Sequence, residues 1–108
     1  FVDFFGQRAC TSRSLAMISL RTGAPVIPCV IDRRGEKFVG RFAPALPRID
    51  TGDKRRDIED ATQLYNQVIE AAVRRRPDQW FWVHQRWKTK PYCRLPRAWD
   101  PANGEIIV

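Results

Sequence analysis

Apolar residues recur through the middle of the chain at spacings of three, four and seven: Ile58, Ala61, Leu64, Tyr65, Val68, Ile69 and Ala72. That period gathers them on one face of an amphipathic helix. Arg74, Arg75 and Arg76 follow, where cations complement the helix dipole. Pro77 stops the helix and is suited to begin a short helical turn over PDQW. Upstream, Leu15, Ile18 and Leu20 give a shorter stripe, with Ser12 or Ser14 as N-cap and Gly23 as the stop. PVIPCVID at 25–32 is a nearly continuous β-branched run, the pattern of a strand covered on both faces, and Pro25 and Pro28 mark its entry or a bulge. RRGE at 33–36 is a turn, and KFVGRF at 37–42 alternates as an antiparallel partner strand. Residues 43–53 form a connector rich in Pro, Gly and Asp. Asp57, Glu59 and Asp60 fall on the polar side of the long helix, beside Lys54, Arg55 and Arg56, and are expected in solvent. Beyond Arg94 no period survives, and 92–108 reads as a loose tail.

Composition narrows the class. The chain has 108 residues, 44 % of them hydrophobic, with 19 Lys and Arg against 12 Asp and Glu, for a net charge of +7. This supports one small domain and excludes disorder. No apolar run in this stretch approaches the roughly 18–20 residues of a membrane span. Cys10, Cys29 and Cys93 are odd in number and lack CxxC spacing, which argues for a reducing compartment and against a disulfide framework or a zinc site. The basic excess implies an anionic partner: nucleic acid, anionic lipid or an acidic carrier protein. The chain opens at Phe1, and its one Met is Met17, so it reads as a fragment of a longer protein.

The densest chemistry lies in WFWVHQRWKTKPY, residues 80–92. Trp80, Phe81 and Trp82 are divided between packing onto the sheet and anchoring at an interface, whereas Trp87 among Arg86, Lys88 and Lys90 is the better interface candidate. The same cluster would serve as a stacking platform for single-stranded nucleic acid, although no RNP pattern, GxxG loop or Cys/His finger accompanies it. His84 is the single histidine, and a histidine in that setting is more often structural than catalytic. Cys10 has no adjacent base, and no triad or dyad is visible. From the residues alone, this is a basic α/β domain or half-domain without its own catalytic set.

Three segments in order carry a resemblance: FFG at 4–6 followed by Thr11, TGAPVIP at 22–28, and PDQWFWVHQRWKTKP at 77–91. Together they resemble the C-terminal half of the bacterial lipid A biosynthesis lauroyl and myristoyl acyltransferases, within the lysophospholipid acyltransferase superfamily. The resemblance covers 1–91 and fades in the tail, 92–108. It implies the C-terminal part of an acyltransferase-type α/β sandwich, a mixed sheet packed by helices. It implies transfer of a fatty acyl chain from an acyl carrier protein thioester to a lipid A precursor, without a further cofactor or a metal, at the cytoplasmic face of the bacterial inner membrane. Phe4, Phe5 and Gly6 resemble a loop near the acyl-chain side of the cleft, with ordinary core packing as the alternative. Thr11 is expected to cap the helix or contact substrate. Pro28 falls in a block near the acyl-transfer site, with strand-edge geometry as the alternative. Arg86, Trp87, Lys88 and Lys90 are the expected membrane or carrier contacts, with Arg33 and Arg34 beside them. The superfamily's H-x-x-x-x-D/E motif, whose histidine serves as general base, is absent: the fifth residue after His84 is Thr89. The chain alone is therefore expected to be inactive. The competing reading, from a different class, is a non-enzymatic basic module for single-stranded nucleic acid.

Overall fold

The structure, a computed structural model, describes residues 1–88 and the backbone at 99–100 and 105–106. Its first elements are a tight hairpin, β1 (Val2–Phe4) and β2 (Gln7–Ala9), paired antiparallel with Phe4 opposite Gln7. Phe5 and Gly6 form the two-residue turn, both left-handed at φ 51° and 73°. That is the geometry matching the right-handed twist of a hairpin. Glycine adopts it freely, whereas Phe5 needs support. Its amide donates to Glu70 Oε1 at 2.6 Å, its ring meets Phe4 edge-on at 4.9 Å, and the Arg74 guanidinium lies 4.7 Å from the ring centre.

Helix α1 (Ser14–Thr22) ends as expected at Gly23, left-handed at φ 71°, whose N–H donates to the Ser19 carbonyl. Ser12 Oγ accepts the Ser14 amide at 3.3 Å. The helix packs on α2 (Lys54–Arg75), and its buried residue is Ala16. The α2 N-cap is Asp53, whose carboxylate accepts the Arg56 amide. After α2 a single 3-10 turn, Pro77–Gln79, begins at the proline.

Strands β3 (Cys29–Arg34) and β4 (Lys37–Phe42) make the second antiparallel pair around Gly35. The run at 25–32 therefore becomes a strand only from Cys29. Residues 26–28 run instead beside the connector, with Val26 O accepting Leu46 N–H and Pro28 O accepting Ala43 N–H. Nor is β3 covered on both faces: Asp32 is buried while Ile31 is 67 % exposed. A two-stranded ribbon buries one side only, and Asp32 on that side is paired with Arg41. The α/β class holds, but among the described residues the strands pair as separate antiparallel hairpins and not as a mixed sheet. Each pair is adjacent in sequence and joined too closely for the crossover that parallel strands require. In the segment read as a loose tail, β5 (Trp99–Asp100) pairs antiparallel with β6 (Glu105–Ile106), and the rest of 92–108 lies outside the described residues.

Two glutamines bind β-strand backbone as a neighbouring strand would. Gln63 accepts from Asp3 N–H and donates to Asp3 O, at 2.7 and 2.9 Å. Gln79 does the same at Arg33, at 2.8 and 2.9 Å.

Asp57 corrects the expectation of a solvated polar face. It is buried at 2 % exposure, accepting the Thr51 hydroxyl at 2.6 Å and the Thr51 amide at 2.8 Å. The Thr51 hydroxyl is the main reason its carboxyl is held below the ordinary 3.8; burial opposes this, and the Thr51 and Gly52 amides and Arg56 reinforce it. Because the folded value is the lower one, the stabilisation is present above pH 3.8 and is lost as pH falls through the folded value. Asp57→Asn is expected to lower Tm at neutral pH. The gap from wild type should close on acidification, and a gap independent of pH would refute the role of the charge.

Candidate functional site

The FFG hairpin is the centre of an aromatic and polar knot. Phe4 is fully buried, with ring centres at 4.9 Å from Phe5, 5.9 Å from Trp80 and 5.4 Å from Trp87. Residues 80–88 return toward the hairpin through successive short backbone turns: Trp82 N–H donates to Trp80 O, His84 N–H to Phe81 O, and Arg86 N–H to His84 O. This path carries Trp87 onto Phe4, where its indole donates to the Phe4 carbonyl at 3.1 Å. It also lays the Arg86 guanidinium 5.1 Å from the Phe4 ring centre.

Arg86 ties the knot. It donates to the Cys10 carbonyl at 2.7 Å, to Thr11 Oγ1 at 2.6 Å and to Asn66 Oδ1 at 3.4 Å. Asn66, 2 % exposed, donates in turn to Thr11 Oγ1 and to the Asp3 carbonyl. Thr11 Oγ1 donates to Ala9 O while accepting from both Asn66 and Arg86, so its hydrogen-bonding capacity is full. The structure thus brings Phe4, Phe5, Thr11, Arg86 and Trp87 together at one place. Phe4 lies in a strand, and only Phe5 and Gly6 form the connecting turn. Thr11 caps no helix; it joins the hairpin to α2.

Among the four expected membrane or carrier contacts, Arg86 and Trp87 face inward, Lys88 is exposed, and Lys90 lies outside the described residues. Trp87, the central ring of the nucleic-acid reading, is half-buried against Phe4. Phe81 and Trp82, balanced between core and surface in the sequence, are 70 % and 53 % exposed, whereas Trp80 is half-buried. His84 is exposed, as are the free thiols of Cys10 and Cys29.

Pro28 stands apart from the knot. It lines an open, mainly apolar cavity of about 450 Å³, with Val26, Ile31, Tyr65, Val68 and Ile69 among its walls. The volume is within the range of small-molecule pockets, roughly 300–1,000 Å³. The apolar stripe predicted for α2 supplies one wall, and the buried Asp32 is among the lining residues. The helix thus serves two sites from neighbouring faces: Tyr65, Val68, Ile69 and Ala72 toward the cavity, and Gln63, Asn66 and Glu70 toward β1. The second face was not evident from hydrophobicity. Its signal was a stripe of hydrogen-bonding side chains at helical spacing, Gln63, Asn66 and Glu70. Among the described residues, no group of three or more His, Cys, Asp or Glu side chains is placed to hold a metal ion, and no helix is long and apolar enough to cross a membrane.

Residues 1–89 match the family described as bacterial lipid A biosynthesis acyltransferase. The chain is 28 % identical over 96 residues to the lipid A biosynthesis lauroyltransferase of Escherichia coli (strain K12), an overlap covering 84 % of this chain and 29 % of that protein. It is 27 % identical over 94 residues to the lipid A biosynthesis palmitoleoyltransferase of the same organism, with the same 84 % and 29 % coverage. A lipid A biosynthesis acyltransferase of Shigella flexneri matches at 27 % over 94 residues, again covering 84 % of this chain and 29 % of that protein. The chain thus spans under a third of the length of these curated relatives. No solved structure matches it.

Proposed function

The chain belongs to the bacterial lipid A biosynthesis acyltransferase family, and we propose that it is part of an enzyme that moves a fatty acyl chain from an acyl carrier protein thioester to a hydroxyl of a lipid A precursor. The observation that carries this reading is the family match across 1–89, which takes in both the knot and the cavity. In the reaction the acceptor oxygen adds to the thioester carbonyl and the carbon–sulfur bond breaks. An ester forms, and the hydroxyl proton is passed, through a general base, to the departing carrier thiolate. His84 is not that base, because Thr89 rather than a carboxylate stands five residues on. The contribution of this chain is binding and positioning.

The cavity past Pro28 suits the alkyl chain of a substrate, being walled mainly by aliphatic side chains with Tyr65 and Trp80. Phe4, Phe5, Gly6 and Thr11 support it through Trp80, which lines the cavity and packs on Phe4, with the turn fixed on α2 by Glu70 and the hairpin fixed by Arg86. The work is placed at the cytoplasmic face of the inner membrane, where the net charge of +7 favours both anionic lipid and an acidic carrier protein. No cofactor beyond the donor thioester enters this reading.

The test uses the full product of the gene that encodes this chain, incubated with acyl–acyl carrier protein and a lipid A precursor. Mass spectrometry should show the precursor heavier by one acyl group, with none added by residues 1–108 alone. An unchanged precursor, in an assay where a lauroyltransferase relative is active, would overturn the reading. Transfer by 1–108 alone would overturn the assignment of the base to residues outside it.

A further inference from the structure

Phe81, Trp82 and Val83 are consecutive and exposed at 70 %, 53 % and 78 %. Three neighbouring large apolar side chains in solvent are a patch and not scattered surface residues. They are held in place: Trp82 N–H donates to Trp80 O, and the Trp82 indole N–H donates to Pro77 O at 2.6 Å. The indole donor being satisfied within the chain, the ring carries no unpaired N–H into an apolar surrounding. Behind it stands Phe5, with ring centres 6.5 Å apart and Arg74 over the far ring.

The surroundings are cationic. Arg74, Arg75 and Arg76 close α2 immediately before the patch, with Asp78 the one acidic residue between them and Phe81. The paired hydrogen bonds of Gln79 to Arg33 add the basic tip of the β3–β4 hairpin, where Arg34 and Lys37 face each other across the register. Aromatic and aliphatic side chains with arginines beside them match an anionic bilayer, whose headgroup region accepts tryptophan and whose surface potential attracts arginine.

We propose that the Phe81–Trp82–Val83 ridge is the surface of this chain that enters an anionic membrane, with the arginines at the end of α2 on lipid phosphates. This rests on the membrane-side function proposed above and assigns the contact to residues other than Arg86 and Trp87, which the knot occupies.

The full gene product in phosphatidylglycerol vesicles with brominated acyl chains provides the test. A component of tryptophan fluorescence should be quenched by bromine and be missing from Trp82→Phe. Quenching should fall at least twofold when phosphatidylcholine replaces phosphatidylglycerol. It should also fall at least twofold in Phe81→Ser/Val83→Ser, whose changed side chains are both exposed. Equal quenching in wild type and Trp82→Phe, or no change in the double variant, would overturn the proposal. So would a Trp82 shielded from aqueous quencher by added acyl carrier protein but untouched by bromolipid, since the partner would then be a protein. Acyl transfer without lipid quenching would remove the ridge and leave the enzymatic reading; quenching without transfer would do the reverse.

Discussion

Phe4→Ala should cost about 3–5 kcal/mol of stability, the usual range for deleting a buried aromatic ring. The side chain is fully buried and is the common neighbour of Phe5, Trp80, Trp87 and Arg86. Removing it leaves a void whose walls are a hairpin, a helix and a folded-back segment. These cannot all close in, because hydrogen bonds fix the hairpin to α2 and Trp87 to the Phe4 carbonyl. A denaturant titration reads the loss as a lower midpoint, and Phe4→Leu should recover part of it. A loss under about 1 kcal/mol would mean the site collapses freely and the knot is not the centre of the fold.

Arg86→Gln is expected to be the second large effect, about 3 kcal/mol from the loss of charged hydrogen bonds and of the guanidinium–ring contact. The change removes the guanidinium donors from the Cys10 carbonyl and from Oδ1 of buried Asn66. Arg86→Lys should recover little, since an ammonium cannot reach three acceptors from one planar fork. Lys88→Gln, at an exposed position two residues on, should stay within about 0.5 kcal/mol of wild type. Coupling with Thr11→Val should be strong, because both changes remove the same 2.6 Å hydrogen bond. If Arg86→Gln left Tm unchanged and altered only vesicle or carrier binding, Arg86 would be a surface contact and not the tie between hairpin and helix.

Order of elements was legible in the sequence because it rests on local rules. Apolar spacing identified α2, Gly23 stopped α1, Gly35 turned the β3–β4 hairpin and Pro77 began the 3-10 turn. The β1–β2 hairpin escaped because each strand has only three residues and its turn places a phenylalanine, not a glycine, at its first left-handed position. The site was legible as a set of segments but not as contacts. That Arg86 would reach Thr11, 75 positions away, follows from how the chain returns over the hairpin, which no local spacing encodes. A basic, aromatic stretch therefore looked uniform, while the structure sorts it residue by residue: Trp87 and Arg86 inward, Phe81 and Trp82 outward. Asp57 was misplaced for a related reason. Its partner Thr51 lies in the preceding connector, and a carboxylate on a polar helix stripe gives no hint that a loop will fold over it.

The glutamine amides at Asp3 and Arg33 have a consequence for association. An exposed strand margin offers its N–H and C=O groups to any incoming chain, and unguarded margins are where folded proteins join edge to edge. At Asp3 both backbone groups are already taken by Gln63, and the next outward amide, that of Phe5, by Glu70. At Arg33 both are taken by Gln79. A further strand from a second molecule must displace those side chains before it can pair at Asp3 or Arg33, so each of these two hairpin margins is guarded at that position by a residue that adds no strand of its own.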